Sequence, residues 1–273
     1  MGENSKIEWT HHTFNPWWGC VRVSPACAHC YADSFARRVG HQLWGPDAPR
    51  RFFGDAHWAE PLRWNREAER AGERKRVFCA SMADVFERRP ELIPWRARLW
   101  KLIDDTPWLD WLLLTKRPHN APAMVPWRQR WPRNVWFGTT IENQHWAEKR
   151  LPDLQAVDAV VHFVSCEPLL GPLALRHRLR SLQWVIAGGE SGHQPRLMHP
   201  AWVRSLRDQC QEAGVPFHFK QWGEWAPAID GGAGAQRVLP GPAGEATVLQ
   251  RLGKRSAGRL LDGRTWDEVP SVA

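Results

Sequence analysis

Trp111-Leu112-Leu113-Leu114-Thr115-Lys116-Arg117 is a short apolar run followed at once by a hydroxyl and two cations. The run suits a strand buried on both faces. The same grammar recurs along the chain, with candidate strands at Val77 to Ser81, Trp111 to Thr115, Val135 to Thr140, Val160 to Ser165, Trp184 to Ala187 and Pro216 to Lys220. Between them, Glu91 to Asp105 sets Leu92, Trp95, Leu99, Leu102 and Ile103 at helical spacing. Pro200 to Gly214 does the same with Trp202, Leu206, Cys210 and Ala213, with Pro200 in the first turn and Gly214 past the end. Strands alternating with helices predict an α/β fold with a parallel sheet. Six strands suit a partial or incomplete (β/α) TIM-like barrel about as well as an open doubly wound sheet. The polar groups that follow each strand favour the barrel, because there they converge on the C-terminal mouth where active sites form. They are Ser81-Met82-Ala83-Asp84, Thr115-Lys116-Arg117, Thr139-Thr140-Ile141-Glu142, Ser165-Cys166-Glu167, Gly188-Gly189-Glu190-Ser191 and Lys220-Gln221-Trp222.

The chain has 273 residues, 43% of them hydrophobic, enough for one large domain with a small appendage. Residues 1–225 are read as the barrel domain. Residues 226–273 are read as a Gly/Pro-rich linker, centred on Pro227 to Pro242, and a small hairpin over Gly258 to Trp266, where Asp262-Gly263 is the turn signal. No apolar run reaches signal-peptide length at the start, or the roughly 18 residues of a membrane helix anywhere, so a cytoplasmic protein with no membrane partner is expected. Six cysteines, three of them crowded between Cys20 and Cys30, do not form the framework of a small secreted domain and point to a reducing compartment and a metal. The formal charge is +8, carried mostly by arginine. Such a surface favours polyanions, DNA or RNA first, although the same excess also serves solubility. Nineteen tryptophans stand beside one tyrosine. Trp95, Trp100, Trp108, Trp111, Trp136 and Trp184 lie in apolar segments and are expected in the core.

The sharpest motif is Trp17-Trp18-Gly19-Cys20 followed by Ser24-Pro25-Ala26-Cys27-Ala28-His29-Cys30-Tyr31. Three thiolates on Cys20, Cys27 and Cys30 can hold three corners of a 4Fe-4S cube and leave one iron without a protein ligand. Reductive cleavage of S-adenosylmethionine needs that open iron. A structural zinc site completed by His29, His11, His12 or Cys166 is the competing reading, and unliganded thiols a third. Cys79, Cys166 and Cys210 read as inert core residues.

These motifs, with Leu114-Thr115-Lys116-Arg117-Pro118, Gly138-Thr139-Thr140-Ile141-Glu142-Asn143, Ser165-Cys166-Glu167-Pro168-Leu169, Gly188-Gly189-Glu190-Ser191-Gly192 and Phe219-Lys220-Gln221-Trp222-Gly223, resemble the phage and prophage three-cysteine-motif family, which is radical-SAM-like and without a settled function. The resemblance runs over about residues 5–225 and extends to Gly258–Trp266. It implies a radical-SAM type of barrel, a 4Fe-4S cluster and S-adenosylmethionine. The cysteine spacing departs from the commonest radical-SAM pattern: the first gap is longer, His29 precedes the last cysteine, and Tyr31 follows it.

A bound S-adenosylmethionine needs a carboxylate or carbonyls for its amino group, a cation for its carboxylate and an apolar slot for adenine. Asp84, Glu142, Glu167 and Glu190 are the candidate acceptors; Lys116, Arg117, Arg196 and Lys220 are the candidate cations. Gly188-Gly189 permits close backbone approach, and Trp222 is placed either to stack on a planar ligand or to plug the barrel. The expectation is a cluster-dependent radical-SAM-type enzyme that modifies or repairs nucleic acid. Its rivals are a metal-stapled, non-catalytic nucleic-acid-binding protein and a component that works with a partner protein encoded nearby.

Overall fold

The structure is a computed structural model that describes residues 2–127, 130–228, 234–241 and 244–271. It divides into two compact units. The first takes in the chain up to Thr139 together with Arg150–His162, the second Thr140–Lys149 together with Phe163–Ser271.

In the first unit the elements run β1 (His12–Thr13), β2 (Trp17–Trp18), α1 (Tyr31–Arg38), β3 (Arg51–Phe52), α2 (Asp55–Ala71), β4 (Lys75–Cys79), α3 (Ile93–Asp104), β5 (Leu109–Thr115), α4 (Ala121–Met124) and β6 (Val135–Thr140). Strands β1, β4, β5 and β6 lie side by side in that order and in parallel, with His12, Val77, Trp111 and Val135 in one transverse row. Their middle residues are apolar because both faces are covered: Val77, Trp111, Leu112, Leu113, Val135 and Phe137 have no exposed surface. Burying each such side chain stabilises the fold by about 1.5–3 kcal/mol. Helix α2 covers this sheet with Trp58, Pro61, Trp64 and Ala68, apolar positions at helical spacing, and stops at Gly72, whose φ of +66 closes the C-cap. Strands β2 and β3 form a separate antiparallel pair.

α5 (Gln144–Gln155) and β7 (Val161–Cys166) follow, then β8 (Trp184–Gly188), α6 (Pro200–Ala213), β9 (Phe217–Gln221), β10 (Trp225–Pro227), β11 (Gln236–Pro240), β12 (Ala246–Arg251) and α7 (Lys254–Ala257). In the second unit β7, β8 and β9 pair in parallel, and β10, β12 and β11 make a small antiparallel sheet. Helix α6 begins where predicted, its His199 Nδ1 accepting from Ala201 N at 3.0 Å, and ends at Gly214 with φ +66. Around Asp262 (φ +53) and Gly263 (φ +82), Leu261 and Arg264 form an antiparallel bridge, the geometry an Asp-Gly turn favours.

Each of the six predicted strands is present within two residues of its expected bounds, and β1 adds a seventh parallel strand. β4 ends earlier than Val77 to Ser81 suggests, because Met82 and Ala83 leave the ladder to bond the cysteine loop. Within each unit, parallel neighbours follow chain order. A doubly wound sheet would reverse that order at a switch point. The fold is therefore the expected mixed α/β class with parallel strands wound one way, that of an incomplete (β/α) barrel. Of the six tryptophans assigned to the core, Trp100, Trp111, Trp136 and Trp184 are buried; Trp95 and Trp108 remain partly exposed. Strand β11 falls within the expected Pro227 to Pro242 linker, of which residues 229–233 and 242 lie outside the described residues. Among the described residues no helix is long and apolar enough to cross a membrane.

Candidate functional site

The cysteine loop is tied to the end of β4. Gly19 N donates to Met82 O at 2.9 Å, and Gly45 N closes the far side on Cys20 O at 3.0 Å. Gly19 has φ +115, and a Cβ there would lie 2.7 Å from Leu43 O, so the approach requires glycine. Asn15 braces the same corner, accepting from Met82 N at 2.7 Å and donating to Ser81 Oγ at 3.0 Å. The Tyr31 hydroxyl donates to Ser81 O at 2.9 Å. Cys30 is the N-cap of α1, and buried Asp33 in its first turn pairs with Arg22 and Arg37 at 2.8 and 2.7 Å.

Behind the loop stands a buried polar node built from the ends of β4 and β5. Asp84 accepts from Thr115 Oγ1 at 2.7 Å, Phe86 N at 3.0 Å, Lys116 N at 3.1 Å and Arg117 Nη1 at 2.8 Å. Burial alone would raise its carboxyl, but Arg117 and these donors outweigh it and hold it below the usual aspartate value. The same guanidinium reaches the loop: Arg117 Nη2 donates to Val21 O at 2.8 Å, and Nη1 lies 3.7 Å from Cys20 Sγ. One arginine thus links the Asp84 carboxylate to the first cysteine.

Cys20, Cys27 and Cys30 are free thiols and partly exposed. Burial, reinforced by the Asp84 charge and opposed by Arg117, pushes the Cys20 thiol up to about 12. Burial also raises Cys30, against backbone N–H groups of Asp33 and Ala32 and the charge of Lys116. Thiols held this way keep their protons at neutral pH and surrender them to a metal. Among the described residues, no three His, Cys, Asp or Glu side chains are gathered closely enough to hold a metal ion. The three thiols share a loop without converging on one centre. The donor set itself fits an iron-sulfur cluster: soft sulfur ligands, a guanidinium to offset thiolate charge, and helix N–H groups at Cys30. Of the residues proposed to complete a zinc site, His11 and His12 are engaged in other contacts. His11 Nδ1 accepts from Arg76 N at 2.8 Å, and His12 stacks on Trp64 at 4.5 Å. Cys166 is buried in the second unit, its thiol raised well above normal by burial and by the charges of Glu167 and Glu142. Cys79 and Cys210 are equally buried, as expected of core residues.

In the second unit the candidate residues form two ion pairs and one tight backbone contact. Lys220 Nζ lies 2.6 Å from Glu167 Oε2, and Ser165 Oγ donates to Glu167 Oε1 at 3.3 Å. Glu190 is buried and forked by Arg196, which reaches it through Nε at 2.9 Å, its backbone N at 2.8 Å and Nη2. Gly188-Gly189 lies against β9: Gly189 N donates to Gln221 O at 2.9 Å, and a Cβ on Gly189 would meet Trp222 O at 1.9 Å. Trp222 is buried, its indole N–H donating to Leu260 O at 2.8 Å. Glu142 is fully buried, and its carbonyl accepts from Leu170 N at 2.7 Å.

One supporting pair escapes sequence reading. Arg50 and Glu87, both buried, meet through Nε at 3.0 Å and Nη2 at 2.6 Å, while Arg50 Nη1 also serves Leu43 O and Ala48 O at 3.1 and 2.7 Å. This clamp fixes residues 43–50 beneath Gly19, and nothing in the sequence sets Arg50 apart from the other arginines.

The chain belongs to the family described as "Protein of unknown function (DUF5131)", which matches residues 4–270. No curated protein matches it. Among solved structures it is similar to a double mutant of spore photoproduct lyase with bound AdoMet and dinucleoside spore photoproduct, at TM-score 0.50 and 14% identity, over 92% of this chain and 72% of that one. A second structure, spore photoproduct lyase complexed with dinucleoside spore photoproduct, gives TM-score 0.49 and 15% identity over the same shares. At this identity the first likeness speaks to the fold alone, and it agrees with the strand winding of a partial (β/α) barrel.

Proposed function

We propose that this chain is a radical-SAM-type enzyme that holds a 4Fe-4S cluster on Cys20, Cys27 and Cys30 and acts on nucleic acid, with DNA modification or repair first in line. The observation that carries the reading is the coupling of the cysteine loop to the strand ends, with Arg117 bridging Asp84 and Cys20. When bound, the cluster supplies the electron that cleaves S-adenosylmethionine to an adenosyl radical. Arg117 offsets thiolate charge at Cys20, and Asp84 keeps that guanidinium aimed. Lys116 adds positive charge at Cys30. The methionine end of S-adenosylmethionine is a zwitterion, and Glu167 with Lys220 presents the opposite charges it needs, a carboxylate for its ammonium and an ammonium for its carboxylate. Gly188 lies beside that pair, where a Cβ would come within 3.5 Å of Lys220 Cβ. The net charge of +8, and the dinucleoside spore photoproduct held by a protein of similar fold, support a nucleic-acid substrate. The resemblance of the motifs to a phage and prophage family supplies a setting in which such a substrate is at hand.

The test is anaerobic reconstitution of the full chain, with iron and zinc counted and the reduced protein examined by EPR before and after S-adenosylmethionine. About four irons per chain, with a signal perturbed by S-adenosylmethionine and lost in Cys27→Ala, supports the reading. Zinc without iron overturns it and leaves a metal-stapled binding protein.

A further inference from the structure

Beside the cysteine loop lies a surface that the proposed chemistry does not use. Trp18, Phe35 and Phe53 are partly exposed rather than buried, and they meet edge to face, Trp18 with Phe35 at 5.9 Å and with Phe53 at 5.7 Å. Arg51 sets its guanidinium over two of these rings, 4.8 Å from Trp18 and 5.3 Å from Phe53, and Arg38 lies 5.7 Å over Phe35. His41 flanks the group, with Nε2 2.9 Å from Arg51 Nη1. From Trp18 to Phe53 the chain carries five arginines and two aspartates; Arg50 is buried against Glu87, and Arg22 and Arg37 share the buried Asp33, with Arg38 and Arg51 over the rings. Aromatic faces interleaved with arginine forks are suited to unpaired bases and their phosphates: rings stack on bases of any sequence, and guanidinium groups stack and pair with phosphate at once. Because Arg51 is already seated on two rings, little further ordering opposes its use.

We propose that this surface, from Trp18 across Arg51 to Phe53, docks an unpaired segment of single-stranded DNA next to the cysteine loop. The inference rests on the nucleic-acid part of the proposed function and assigns it a surface. It excludes a purely electrostatic grip, which would need the arginines alone.

The test is fluorescence anisotropy of the reconstituted full chain with a short labelled oligothymidylate at low salt. Phe53→Ala and Arg51→Gln should each weaken binding about tenfold, while Arg176→Gln, at an exposed pair with Glu212 in the second unit, leaves it unchanged. Should Phe53→Ala fold poorly, photo-crosslinking of the unaltered protein to iodouracil-substituted DNA gives the same answer, with adducts expected on Trp18, Phe35 or Phe53. Full-strength binding by both variants, or adducts confined to other segments, overturns the surface while the nucleic-acid reading stands. Binding of the matching oligouridylate but not the DNA overturns the DNA assignment. No binding of single strands overturns the surface, and a parallel titration with duplex DNA then decides the nucleic-acid reading separately. Iron content and the EPR response should be unchanged in both variants.

Discussion

The strand ends of the two units look alike in sequence, a hydroxyl or glycine followed by charges, yet they are used differently. In the first unit Asp84, Thr115 and Arg117 form a node that reaches outward to Cys20 and Val21. In the second, Glu190 is closed on Arg196, the glycines lie on the backbone of Gln221 and Trp222, and Glu167 with Lys220 presents a simple pair of opposite charges. A polar residue after a strand therefore marks the place where a site can form without saying whether its partner is a ligand or the protein itself. Replacements that separate support from binding sharpen the contrast.

The largest effect is expected beneath the cysteine loop. Arg50→Met or Glu87→Gln leaves a buried charge or acceptor set without its partner, and each should cost about 3–5 kcal/mol in urea unfolding. Arg50→Met combined with Glu87→Leu should recover much of that loss, since an apolar pair tolerates burial. If the single variants unfold as the unaltered protein does, the clamp does not hold the loop.

Gly189→Ala comes next and separates packing from ligand approach. Its Cβ would sit 1.9 Å from Trp222 O, so the backbone of β9 must move, at a cost of about 1–3 kcal/mol. A variant with unchanged stability but lost S-adenosylmethionine binding would instead make the glycine a ligand contact. Lys220→Gln should be milder for the fold, within about 1 kcal/mol for a partly exposed pair, while weakening S-adenosylmethionine at least tenfold if the pair takes the zwitterion. Equal binding by the variant, measured by calorimetry, would return Lys220 to a purely structural role.

The sequence makes the strands legible because each buried run of β5, β6 and β8 is apolar on both faces, which no helix pattern in this chain imitates. β1 is invisible there, since His12-Thr13 is two residues long and is a strand only through its pairing with Val77 and Phe78. The cysteine loop can be read from spacing alone, but not its fastening: Asn15 binds Met82 N, Gly19 binds Met82 O and Arg50 binds the Glu87 carboxylate, 67, 63 and 37 residues away along the chain. Trp222 shows the limit from the other side. At a strand end a tryptophan suits stacking or plugging equally, and only the bond from its indole to Leu260 O shows it packed inward.

The smallest effect concerns pH and separates the two units by their edges. His11 lies at the start of β1, where burial, then the charges of Arg76 and Lys75, lower its imidazole to about 4. Its Nδ1 accepts from Arg76 N, a role open only to the neutral ring. A histidine depressed in the folded state contributes stability that is complete above its unfolded value, near 6.5. That stability falls away as pH drops from there toward about 4. Acid should therefore loosen the β1–β4 edge before the β10–β12 edge, whose strands carry no histidine. Hydrogen exchange at pH 7 and pH 5 should show Phe14 and Arg76 amides losing protection while those of Ala228 and Leu252, at the β10–β12 edge, keep theirs. His11→Asn, which preserves an acceptor that does not titrate, should flatten the difference, and an equal acid response in both edges would mean that the histidine does not govern the first.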